Sequence, residues 1–291
     1  MAPSVRDSPG EKLHQSLTID ALAAFAAAVL VTPTVTVMDR VVVEKSCTVR
    51  PTMDILKKHA KSLFQKPRLF ASSRPCLLVF GLYFGTYGTA NFATSIAHSG
   101  FLDLEPAAAN TLTVLATLSA NVPLGIYKDT VFARLFGCPK LPGPAPGKPL
   151  PISIPPPTPR TPLSTYIGFL VRDIITIHTS FTLPATLSSS IPDSVIPDPQ
   201  SKAVLAQLFV PVLGQIVNTP IHLIALGIYN KQGSLTMSEA LTTLRMNLIP
   251  ASLTRMMRII PAFGFGTLTN NEVRRALLER LDTAEDLRGN D

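Results

Sequence analysis

The chain has 291 residues, 46% of them hydrophobic and only 15% charged. A water-soluble domain carries charge on about a quarter of its residues, so this composition speaks against a fully hydrated surface and for a bilayer as solvent. The 26 basic residues exceed the 19 acidic ones, a net +7 that suits an anionic lipid or solute; no nucleic acid is expected as a partner.

Residues 1–16 read as a flexible tail in which Arg6 and Lys12 balance Asp7 and Glu11, without the basic start of a secretory signal. The first apolar run lies between Asp20 and Asp39 and holds Pro33. The second runs from Arg74 to Asp103, opening SSRPCLLVF and carrying Gly81, Gly85 and Gly88 at helical spacing. The third lies between Glu105 and Lys128 and holds Pro123. The fourth extends from Thr161 to about Ser190, broken only by Arg172 and Asp173. The fifth lies between Lys202 and Lys231 and holds Pro220; the sixth runs from Met246 to Asn271 and is interrupted by Arg255 and Arg258. About 20 residues of helix cross a hydrocarbon core, so the pattern predicts an all-α membrane protein with six transmembrane helices.

Three connections are basic. Residues 46–73 carry a net +5, 128–160 a net +4 and 230–248 a net +1, whereas the opposite connections and the C-terminal tail are acidic. An even number of spans places the basic loops on one side, as positively charged loops prefer. Residues 52–66 alternate apolar and lysine faces and predict a surface helix, and Thr236-x-x-Glu239 has the form of a capping box. Eleven prolines between Pro139 and Pro162 forbid a helix there and favour an extended linker, whose protein partner, if it has one, is unknown.

Cys47, Cys76 and Cys138 are odd in number and form no CxxC pair, which speaks against a disulfide framework or a zinc site. His14, His59, His98, His178 and His222 are scattered, and no GxSxG, Walker or GxGxxG motif is present. No metal, no cofactor and no enzymatic activity are expected.

Pro33, Pro123 and Pro220 recur at near-equal spacing near the ends of the odd runs and predict helix kinks in three copies of a helix-loop-helix unit. With the Arg258-x-x-Pro261 step of the last run, this pattern resembles the mitochondrial carrier family over roughly residues 17–280. The resemblance implies six helices in three repeats around a central cavity: repeat 1 at 17–100, repeat 2 at 101–192 with the proline-rich loop 137–163, repeat 3 at 193–280, and a polar tail at 281–291. It further implies the mitochondrial inner membrane, with the outer membrane as alternative. That family's proline motif has an acid two residues after the proline and a base five after it. Here those positions hold Val35, Gly125 and His222, then Met38, Lys128 and Ala225, so only Lys128 matches. Asp39, Arg40, Lys128 and Asp129 lie close by and form a possible substitute matrix gate.

Ionisable groups inside a span are costly and face a cavity or a partner. Arg172, Arg258, Arg255 and Asp173, with His178 and Asn91 as polar liners, are therefore the candidate substrate-binding residues of the cavity. Alternatively Arg172 pairs with its neighbour Asp173. Two readings of function stand side by side: a transporter of a small, anionic metabolite by alternating access, or a non-transporting membrane adaptor, structural protein or insertase on the same fold.

Overall fold

The computed structural model describes residues 9–99, 102, 104–137, 160–179 and 183–289. Most of the proline-rich loop lies outside the described residues. Among those described, every regular element is a helix: α1 (Pro9–Lys45), α2 (Thr52–Gln65), α3 (Pro67–Ala71), α4 (Arg74–Ala97), α5 (Pro106–Phe136), α6 (Leu163–Ile177), α7 (Leu183–Ser188), α8 (Pro199–Lys231), α9 (Met237–Ile259), a π-helical stretch (Ile260–Gly266) and α10 (Thr267–Gly289).

Among the described residues, three helices are long and apolar enough to cross a membrane: Lys12–Lys45, Pro106–Phe136 and Pro199–Lys231. They contain the first, third and fifth expected spans. The other three expected spans fall short for different reasons. In α4 the apolar run is diluted by Gly81, Gly85, Thr86, Gly88, Thr89 and Asn91. α6 is α-helical for 15 residues before His178 and Thr179 take π-helical geometry, and α9 carries Arg245, Arg255 and Arg258. Pro33, Pro123 and Pro220 lie inside α1, α5 and α8, as do Pro211 in α8 and Pro250 in α9. Cys47 takes part in a disulfide, which corrects the expectation drawn from the odd cysteine count.

The residues divide into two compact units. One takes Met1–Thr36, Arg68–Gly125 and Arg258–Asp291; the other takes Val37–Pro67 and Ile126–Met257. In the first, small side chains lie inside, with Ala23, Ala24, Ala27 and Ala28 of α1 fully buried. Large ones lie outside: Leu22, Phe25, Val29 and Leu30 are each about half exposed. A water-soluble helix does the reverse; helices that pack in lipid bring small residues together and turn large apolar ones outward. Pro261 removes a backbone donor near the start of the π-helical stretch, where such bulges arise. The Tyr87 hydroxyl donates to the Ala262 carbonyl there, at 2.6 Å. A Cβ at Gly266 would sit 2.3 Å from the Tyr87 oxygen, so that approach requires glycine.

In the second unit α6 and α8 pack closely. A Cβ at Gly168 would meet the Ala225 Cβ at 2.7 Å, and such close approach lets short polar side chains reach across. α8 starts on an Asp198 cap that accepts from the Ser201 amide at 2.8 Å. It ends at Gln232, which takes the left-handed conformation at φ 55°. Before α9, Glu239 accepts from the Thr236 amide and the Thr236 hydroxyl accepts from the Glu239 amide, a closed capping box.

Candidate transport site

The second unit holds a chain of buried charges. α5 brings Lys128 and Asp129 side by side near its end, and both are almost fully buried. Lys128 Nζ donates to Asp39 of α1 at 2.5 Å and lies 2.8 Å from Asp129. Asp129 also pairs with the Arg172 guanidinium of α6. Arg172 binds its neighbour Asp173 through Nε at 3.0 Å and Nη2 at 2.5 Å, and donates from Nη1 to His222 Nδ1 of α8 at 2.9 Å. Because arginine always donates, His222 accepts there through Nδ1.

Aromatic rings line this chain. Lys128 Nζ is 5.3 Å from the Phe132 ring centre, and the Arg172 guanidinium is 5.3 Å from that of Phe169. Phe169 in turn lies against the His222 ring. Rings at this distance attract a desolvated cation and exclude water, so the pairs lie in a medium where charge interacts strongly.

His222 belongs to a polar stripe with Gln215 and Asn218, which share one face of α8 by their spacing of three and four residues. Each side chain is met by another helix. Gln215 accepts from Arg255 Nε of α9 at 3.0 Å, and Asn218 donates to the Thr176 hydroxyl of α6 at 3.1 Å. Gln215 and Asn218 are fully buried. Hydropathy alone passes over them, being uncharged; the three-and-four spacing of polar residues inside an apolar run is the signal that marks them.

The structure thus brings Asp39, Lys128 and Asp129 of the expected gate together with Arg172 and Asp173 of the expected cavity set. Arg40, also of the expected gate, is buried with its guanidinium 5.2 Å from the Phe136 ring centre. Arg255 joins the α8 stripe, and His178 is exposed at the end of α6. Arg258 falls in the first unit, half buried.

Asn91 also falls in the first unit, within a second polar cluster. Asp20 of α1 is fully buried and pairs with Arg274 Nε of α10 at 2.6 Å. The Ser95 hydroxyl of α4 donates to the same carboxylate at 2.6 Å and accepts from Arg274 Nη2 at 3.0 Å. Asn91 and Asn270 exchange amide hydrogen bonds at 2.9 and 3.0 Å. The sequence marks Asp20 only as the border of a span and Arg274 only as a charge beyond the sixth run.

Buried charges of both signs, shared between helices that carry large apolar residues outward, mark a membrane protein whose interior handles charge. Residues 23–278 match the model of a family described as a probable citrulline exporter. The chain belongs to this family. No curated protein matches it. The match corrects the resemblance to mitochondrial carriers, which rested on recurring prolines. Membrane helices tolerate proline in general, because neighbouring groups satisfy the freed backbone, so that recurrence marks a bilayer and not one carrier fold. Membership in this exporter family and the three helices long and apolar enough to cross a membrane together give a membrane transport protein that sits in a bilayer and handles a small solute.

Proposed function

We propose that the chain exports citrulline, or an amino acid of the same form, and that the charge chain of the second unit receives its head group. The observation that carries this reading is the pairing of Arg172 with two carboxylates, Asp129 and Asp173, beside Lys128. A zwitterionic amino acid offers one carboxylate and one ammonium. The carboxylate matches the guanidinium fork of Arg172, and the ammonium matches the aspartate it displaces.

Counted together, Asp39, Asp129 and Asp173 balance Lys128, Arg172 and Arg255. A zwitterion enters such a set without adding net charge, whereas an anion leaves a buried charge uncompensated. The balance therefore favours a zwitterion over the anionic metabolite expected from the arginines alone. In this proposal α4, α6 and α9 complete a six-span bundle, and the solute exchanges partners with the Arg172–Asp129 and Lys128–Asp39 pairs as access alternates.

The test is uptake of radiolabelled L-citrulline into proteoliposomes, with Arg172→Ala beside wild type. Saturable wild-type uptake, lost in the variant, supports the reading. Absence of citrulline uptake by folded wild-type protein overturns it and leaves the adaptor reading.

A further inference from the structure

Two buried oxygens beside the charge chain have no hydrogen-bond partner among the described residues: Asp173 Oδ2 and Asn218 Oδ1. Both residues are at least nine-tenths buried. Each is an acceptor, and a buried acceptor without a donor is costly. Asp173 uses its other oxygen for Arg172.

The orientation of Asn218 is fixed by its neighbour. The Thr176 hydroxyl spends its single proton on the Arg172 carbonyl at 2.9 Å, so towards Asn218 it acts as an acceptor. It therefore takes an N–H of the Asn218 amide, at 3.1 Å, and the carbonyl oxygen is turned the other way. The two elements that carry the orphaned acceptors, α6 and α8, meet there through Thr176–Asn218 and, one turn along α8, through Arg172–His222.

Resting on the transport reading above, we propose that Asn218 determines selectivity, its neutral carbonyl oxygen receiving an N–H of the solute's uncharged ureido group while Asp173 Oδ2 receives the ammonium. The neighbouring acids and bases already balance. A guanidinium or a second ammonium on the solute would add a cation with no carboxylate to meet it. A ureido group offers N–H donors without that charge. The site so built accepts the neutral side chain and rejects its cationic relatives.

The experiment uses the full chain in proteoliposomes and measures uptake of radiolabelled L-citrulline against unlabelled L-arginine and L-ornithine. Wild type, Asn218→Asp and Thr176→Val are compared. Wild type is expected to prefer citrulline. Asn218→Asp supplies the missing carboxylate and is expected to shift the citrulline-to-arginine ratio towards arginine by about tenfold or more. Thr176→Val removes the group that orients the amide and is expected to lower the same ratio without changing any charge. An active Asn218→Asp protein with an unmoved ratio overturns the proposal. If that variant does not fold, Thr176→Val decides, and an unmoved ratio there overturns it equally. Failure of wild type to take up citrulline sinks the transport reading itself, whereas wild-type uptake with unmoved ratios in the variants sinks only the assignment to Asn218.

Discussion

Lys128 of α5 holds two carboxylates at once, Asp39 of α1 at 2.5 Å and its own neighbour Asp129 at 2.8 Å. One ammonium thus ties two helices, and its loss leaves two buried acids without it. Breaking a buried ion pair from one side costs about 3–5 kcal/mol, while replacing both partners with apolar groups is often neutral. Lys128→Ala is therefore expected to lower the unfolding midpoint in detergent far more than the double variant Asp39→Leu, Lys128→Met. Both should lose citrulline uptake. A double variant that is stable yet fully active would show that the pair has no part in transport.

Arg172 reaches Asp129 and His222 through Nη1 and Asp173 through Nε and Nη2. Lysine keeps the charge but offers a single point in place of a planar fork. Arg172→Lys is expected to reduce the uptake rate by at least about tenfold, since each lost charge-assisted hydrogen bond is worth about 1.5–3 kcal/mol. Initial rates over a range of citrulline concentrations would check this; wild-type kinetics in Arg172→Lys would remove Arg172 from the site.

In the first unit, Asp20 and Arg274 share Ser95 as a third partner. Groups joined in one network couple, by about 0.5–3 kcal/mol. A double-mutant cycle of Asp20→Asn and Arg274→Gln, read by thermal unfolding, should give a coupling energy towards the upper part of that range, because Asp20 is fully buried. Additive effects of the two substitutions would show the pair to be energetically idle.

His59 of α2 is buried against Glu44 at 2.8 Å and stacks edge-on with Phe136. Burial pushes its pKa below the usual histidine value; the bond to Glu44 opposes this, and the charges of Lys58 and Arg40 reinforce it. The unfolded chain then binds the proton more readily than the folded one. Stability is present above the ordinary histidine value of about 6.5 and falls as pH drops through it towards the folded value. Wild type should lose unfolding midpoint between pH 7.5 and 5 relative to His59→Gln. Parallel pH profiles for the two proteins would contradict this.

The sequence groups Asp39, Lys128 and Asp129 near one another and sets Arg172 apart in the cavity; that Arg172 reaches Asp129 was not legible, since a charge inside an apolar run announces that it needs a partner but not which one. Gln215 and Asn218 were not legible either, because an uncharged amide leaves a hydropathy run intact, and only its helical register betrays it. Asp20 was visible but misread, since the same residue type that ends a span also serves inside a cluster once α10 brings Arg274 to it. The prolines proved the least specific guide, being common to many bilayer helices.

Asp39 and its counter-ion are separated by 89 residues of chain. At a synthesis rate of about 5–20 residues per second, roughly 4–18 s pass between the two leaving the ribosome. Throughout that interval the first helix carries a carboxylate whose lysine does not yet exist. Its settling in the bilayer must therefore wait for α5 or rely on the insertion machinery to shelter the charge, so the biogenesis of α1 is tied to one or the other.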